Sequence, residues 1–304
     1  MKRRHFLIKS LQAGAITAAT ASAFDIPNLF ANTLPSSPDL VAVKGGMPDV
    51  MFDKAIAELG GLSKFVKKGQ TVVIKPNIGW DVVPENAGNT NPLLVKRIIE
   101  HCFNAGAKSV YVFDHTCDNW TSCYKTSGIE RYASDAGAKV VSGANESYYQ
   151  EVTIPGAKKL KEAKVHELIL ESDVFINVPI LKDHSSSRMT SAMKNLMGVV
   201  WDRGEWHRND LHQSITDFSA YRKPDLNIID AYLVMKRNGP RGVSREDVVE
   251  MKSLMISTDI VAADAAAAKL FGLEPADIRY IKLAHDAKLG RMDLDKLSIK
   301  RIKI

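Results

Sequence analysis

Three consecutive stretches decide the fold: Thr71-Val-Val-Ile-Lys75, Thr90-Asn-Pro92 through Gly106, and Ser109-Val-Tyr-Val-Phe113. The first is short and β-branched, as a buried strand is. Pro92 sits where a helix begins, and Leu93, Leu94, Ile98 and Cys102 give that helix an apolar face. Gly106 closes it, and the third stretch reads as the next strand. The phrase Ala-Gly-Ala-Lys stands at 105–108 and again at 136–139, where a second helix, from about Tyr124 to Asp135, gives way to Lys139-Val-Val141. Both copies mark a helix end followed at once by a strand. That order implies a parallel sheet with right-handed crossovers. The expected class is α/β, a mostly parallel twisted sheet with helices on both faces.

Further along, residues 142–164 are irregular and read as a small β insertion. Asp173-Val-Phe-Ile-Asn-Val178 is a buried strand, and Pro179 to Arg208 reads as a long polar loop with a short helix. Leu211 to Tyr221 is helical, Leu226-Asn-Ile-Ile229 and Met251 to Ile256 are strands, and Asp259 to Leu270 and Pro275 to Lys288 are helices. The tail from Leu297 to Ile304 alternates like an edge strand with its lysines in water. No composition break demands two domains, so residues 40–304 are expected to form one.

The N-terminus reads as an address. Met1-Lys-Arg-Arg-His-Phe-Leu-Ile-Lys9 precedes an uncharged run from Ser10 to Phe24, short of the roughly 20 apolar residues that span a bilayer. Ala21-Ser22-Ala23 offers a small-residue cleavage site. Paired Arg3-Arg4 followed by x-Phe-Leu resembles a twin-arginine (Tat) export signal. Residues 1–23 are therefore expected to be a signal peptide and 24–39 a tether. The Tat machinery is the expected partner and the periplasm or exterior the destination. No Cys follows the apolar run, so no membrane anchor is expected after cleavage.

The chain has 304 residues, 45% hydrophobic and 25% charged, which excludes a disordered or fibrous protein. Its formal charge of +6 comes from 41 basic and 35 acidic residues. Four of the 41, Lys2, Arg3, Arg4 and Lys9, precede the cut, leaving 37 basic against 35 acidic. A net +2 gives no footing for nucleic acid. Three cysteines do not make a disulfide framework, although a Cys117–Cys123 bridge suits an exported chain. They also do not make an iron–sulfur motif, which needs four thiolates in tight spacing.

Parallel sheets bind ligands beyond the carboxyl ends of their strands. Those ends carry Lys75-Pro-Asn77, Asp114-His115, Lys182-Asp-His184 and Asp230. Past His184, Ser and Thr residues stand beside Arg188, Lys194 and Asn195 at the start of a short helix. Hydroxyls and amides donate to an anion while cations neutralise it. Lys75, Lys182 and Lys194 are candidate anion holders and Asn77 and Asn195 candidate positioners. His184 or His212 would be the proton-transfer base. A metal site drawing on Asp114, Asp230 and Asp264 is an alternative, without a diagnostic ligand spacing behind it. The loop from Trp201 to Trp206 reads either as a lid or as an ordinary surface loop.

These phrases carry a resemblance. Val-Val-Ile-Lys75-Pro76-Asn77, Asn91-Pro92, Asn177-Val-Pro-Ile-Leu-Lys182-x-His184, Ala192-Met-Lys194-Asn195-Leu-Met-Gly198, His212, Asp230, Gly239-Pro240 and Asp264 resemble domain-of-unknown-function family 362, over about residues 40 to 290. The resemblance implies an α/β fold with a site on this rim. Many members add a ferredoxin-like module; this sequence has no such cysteine runs. A more distant likeness, to nickel-pincer lactate racemases, is an analogy of Lys and His pattern only. Three functions stand open: an exported enzyme for a small carboxylate or phosphate, a metal- or cofactor-binding redox-related protein loaded before export, and a non-catalytic periplasmic binder.

Overall fold

The strand–helix alternation recurs in the computed structural model of the chain, which describes residues 37–304. The expected signal peptide and nearly all of the expected tether lie outside the described residues. Strands run in chain order β1 (Leu40–Lys44), β2 (Thr71–Pro76), β3 (Ser109–Val112), β4 (Lys139–Val140), β5 (Tyr149–Thr153) and β6 (Glu162–His166). They continue β7 (Val174–Val178), β8 (Ile180–His184), β9 (Arg188–Thr190), β10 (Leu226–Met235), β11 (Val248–Ser257) and β12 (Ile299–Lys303). Ten of them form one sheet in the order β12-β1-β11-β10-β7-β2-β3-β4, with β8 beside β10 and β9 beside β8. The stretch β10-β7-β2-β3-β4 is parallel throughout, as the repeated Ala-Gly-Ala-Lys phrase requires. Strand β11 runs antiparallel between β1 and β10, so the sheet is mixed at that side.

Side-chain alternation explains the two covered faces. Val73, Phe113, Phe175, Ile229 and Met255 join one core, with residues of the helices Leu211–Tyr221, Ile260–Phe271 and Arg279–Asp286. Their neighbours Val72, Ile74, Val112, Val174, Ile176, Ile228 and Ile256 join the other, under the helices Pro48–Glu58 and Pro92–Asn104. The buried strands thus read as continuous apolar runs because both faces are occupied.

Several local expectations change. The helix expected from about Tyr124 to Asp135 is two, Trp120–Thr126 and Ile129–Asp135, broken at Gly128, whose φ is +74°. The segment expected as a polar loop after Pro179 begins instead with the β8–β9 hairpin. Strand β10 outruns β7, and β8 takes over the pairing, with Ile180 opposite Asp230 and Lys182 opposite Met235. The insertion at 142–164 forms the two-stranded β5–β6 hairpin. The tail forms β12, parallel to β1 at the sheet edge. Strand β1 and the helix Pro48–Glu58 had no counterpart in the sequence reading. Among the described residues no helix is long and apolar enough to cross a membrane.

A candidate anion site at the carboxyl ends of the parallel strands

The same alternation that builds the cores builds the site. Lys75 and Asn177 are two residues beyond Val73 and Phe175, so they point to the same face, and β2 and β7 set them side by side. The short helix Ala192–Asn195 lies over that face. It is held there by Asp264, whose carboxylate accepts from the amides of Ala192 (2.5 Å) and Met193 (3.0 Å). Asn195 therefore reaches down to the strands. Its Oδ1 accepts from Lys75 Nζ and from Asn77 Nδ2, both at 2.9 Å. Its Nδ2 donates to Asn177 Oδ1 at 2.8 Å, and Asn177 donates in turn to Asn227 Oδ1 at 3.0 Å. Asn77 Oδ1 accepts from Lys182 Nζ at 3.0 Å, and the Gly88 carbonyl also accepts from that ammonium. Every amide in this chain is spent on fixing another polar group, which makes the arrangement rigid.

Lys75, Asn77, Asp114, His115, Lys182, His184, Lys194, Asn195, Arg203 and His207 all line one cavity of about 420 Å³. Lys75 and Lys182 are 1% exposed and Lys194 is 8% exposed. Asp114 is the acid among these residues, and it pairs with Lys75 at 2.8 Å. Gly198 permits that pair, since a Cβ there would lie 1.8 Å from Asp114 Oδ1 and 2.6 Å from Lys75 Nζ. Lys182 meets only neutral oxygens. Among the described residues, nothing accepts a hydrogen bond from the Lys194 ammonium.

Burial without compensating acids depresses these bases. Desolvation, set against the attraction of Asp114, lowers Lys75. Desolvation brings Lys182 down to about 7, and Lys194 adds to it by repulsion. Desolvation, with Arg203 and Lys75 nearby, brings Lys194 to about 8. Desolvation and then the repulsion of Lys194 and Lys182 push His184 to about 2, so it is neutral. Its Nδ1 accepts from the Ser186 amide at 3.1 Å, which leaves the ring proton on Nε2. Desolvation also lowers His115, whose Nδ1 must donate to the Val200 carbonyl at 3.0 Å, leaving Nε2 as an acceptor.

Three expected site residues are elsewhere. His212 stacks on Tyr280 at 5.9 Å and does not line the cavity, because its helix faces Arg279–Asp286. Asp230 accepts from the amides of Asn91 (2.7 Å) and Tyr232 (3.1 Å), tying the start of the helix Pro92–Asn104 to β10. Asp264 is committed to Ala192 and Met193. With Asp114 held by Lys75, the expected carboxylate set does not assemble, and among the described residues no three His, Cys, Asp or Glu side chains come together as metal ligands. Of the two states the sequence left open for Cys117 and Cys123, a bridge or free thiols, the structure has free thiols. Cys123 is buried and Cys117 is exposed, its sulfur 3.2 Å from Arg203.

The sequence reading missed Arg203 and Asn227. Arg203 donates to the carbonyls of His115 (2.9 Å) and Thr116 (2.6 Å) and so anchors the loop over the cavity. Trp206 is fully buried against Phe218 and Trp201 stacks on His115, so neither tryptophan is a free lid. A wider groove of about 960 Å³ runs between the β5–β6 hairpin and Trp201. Its charged lining is mostly exposed, including the Lys164–Glu146 pair, and it holds no buried charge.

Fold and site together define an α/β protein with a lysine-rich cavity beyond the carboxyl ends of its parallel strands. The chain belongs to the family Domain of unknown function (DUF362), which it matches over residues 72–269. It is 25% identical over 228 residues to the thylakoid-associated protein sll1697 of Synechocystis sp., a match covering 72% of this chain and 68% of the relative. Among solved structures it is similar to the lactate racemase apoprotein of Thermoanaerobacterium thermosaccharolyticum, with a TM-score of 0.45 and 13% identity over 70% of this chain. A Thermotoga maritima protein gives a TM-score of 0.48 and 15% identity over 75% of this chain. The match spans 53% of the first of these structures and 60% of the second.

Proposed function

We propose that the protein is an enzyme acting on a small carboxylate or phosphate in the cavity formed by Lys75, Lys182 and Lys194. The observation that carries this reading is Lys194, a side chain nine-tenths buried whose ammonium opens on the cavity and has no protein acceptor among the described residues. Burying a charge unpaired is costly, and a bound anion supplies the missing partner. Lys182 and Lys194, at about 7 and about 8, exchange protons near neutral pH, which suits general acid–base work better than His184 does. Neutral His184 instead has an N–H to donate, and Asn77 and Asn195 hold the lysines in place. The test is titration of the protein with inorganic phosphate and with small carboxylates by calorimetry. Lys194→Ala is expected to weaken binding at least about tenfold, or ~1.4 kcal/mol, with the circular dichroism spectrum unchanged. Unchanged affinity overturns the assignment.

The Arg3-Arg4 pair, the uncharged run and Ala21-Ser22-Ala23 support a further part of the proposal, export by the Tat route to the periplasm. Replacing both arginines by lysine is expected to leave the protein in the cytoplasmic fraction of its host. Equal export of the variant overturns that route.

A further inference from the structure

Charges in and around the cavity can be paired off one by one. Lys75 is matched by Asp114 at 2.8 Å. Arg203 donates to the carbonyls of His115 and Thr116 and, unlike the buried lysines, is part-exposed, so water screens its charge. His184 and His207 are both depressed by desolvation and add no lasting charge at neutral pH. Two cations remain. Lys182 meets only the Asn77 and Gly88 oxygens, and among the described residues Lys194 meets no acceptor. Both are buried and both line the one cavity.

We infer that this cavity takes a doubly charged anion, a phosphate group or a dicarboxylate, held jointly by Lys182 and Lys194. The inference rests on the small-anion reading and adds the charge count to it. A singly charged ligand would leave one of the two cavity ammonium groups without a counter-charge, whereas a dianion closes the balance. Binding must then draw protons from solution above neutral pH, because each ammonium is stabilised by the charge beside it. The titratable and charged groups facing the pair are Lys75, Asp114, His115, Cys117, Arg203, His184 and His207. With Lys75 paired to Asp114, Arg203 screened by water and the histidines depressed, Lys182 and Lys194 are the groups left to take up protons.

The experiment is isothermal titration of the full chain with inorganic phosphate, succinate and acetate at pH 8.5, in two buffers of different ionisation enthalpy. Phosphate or succinate is expected to bind at least about tenfold tighter than acetate, given the added Coulomb attraction in a partly dehydrated site. That ligand is also expected to take up more protons per molecule bound than acetate does. Which of the two binds distinguishes a phosphate centre from a pair of carboxylates. Lys194→Met and, separately, Lys182→Met are each expected to remove the preference over acetate and lower the proton uptake. Acetate binding as tightly as both dianions overturns the charge count and leaves the anion site standing. No binding by any of the three overturns the anion-site reading itself.

Discussion

At the scale of single residues, the site depends on one absent side chain as much as on those present. Gly198 leaves room for the Lys75–Asp114 pair, and a methyl group there would overlap the carboxylate. Gly198→Ala is expected to break the pair and cost about 3–5 kcal/mol, the range for separating a buried ion pair. A urea midpoint equal to that of the unsubstituted protein would rule this out. The cysteines give a second check. Alkylation of the native chain is expected to label Cys117 alone, because Cys102 and Cys123 are buried, and denaturation should expose all three. A native mass showing no label would restore the Cys117–Cys123 bridge. Lys75, Asn77 and Lys182 were legible in the sequence because each ends or follows a strand, and Lys194 because it stands beside hydroxyl residues at the start of a short helix. Asn227 was not, because an asparagine inside an apolar run has no local signal. Its partner Asn177 lies 50 residues away.

At the scale of elements, buried carboxylates act as fasteners rather than as ligands. Asp264 belongs to the helix Ile260–Phe271 but fixes the start of Ala192–Asn195, a helix too short to hold itself. Asp264→Ala leaves two buried amides unsatisfied and is expected to cost about 2–5 kcal/mol. It should also lower anion affinity, since Lys194 and Asn195 ride on that helix. Affinity that survives an intact fold would show that the helix positions itself. In the sequence Asp230 was marked as the end of a strand and Asp264 by the family resemblance. The sequence did not distinguish a fastener from a metal ligand, since both are acids without a local partner. Strand β8 was missed for a related reason. Its pairing partner is the far half of β10, and pairing at that distance leaves no periodic trace in a polar stretch.

Across the whole molecule, the sheet separates two apolar cores and concentrates positive charge at one end of its parallel strands. That charge weighs on stability. Lys182 and Lys194 have folded values of about 7 and about 8, below the ordinary lysine value of 10.5. Between those values the unfolded chain binds more protons than the folded one. The contribution of these two groups to stability therefore rises with pH from about 7 towards 10.5 and is least favourable below 7. The chain without bound anion is expected to gain in urea midpoint from pH 7 to pH 9. The Lys182→Met/Lys194→Met double variant is expected to gain less. Equal slopes would mean that the lysines are not burdened by burial.

By itself the sequence determined the α/β class, the parallel run of strands and the polar rim. These follow from local causes: β-branched runs, Pro and Asn at a helix start, Gly at a helix end, and the rule that a strand's carboxyl end opens to a ligand. Only the tertiary structure decided which rim residues meet. It brought Lys75, Lys182 and Lys194 into one cavity, sent His212 to Tyr280, and spent Asp230 and Asp264 on backbone amides. The physical reason is that charge compensation is a sum over neighbours in space. A lysine's worth as an anion ligand depends on which acids reach it, and here Asp114 reaches Lys75, which stands 39 positions before it in the chain.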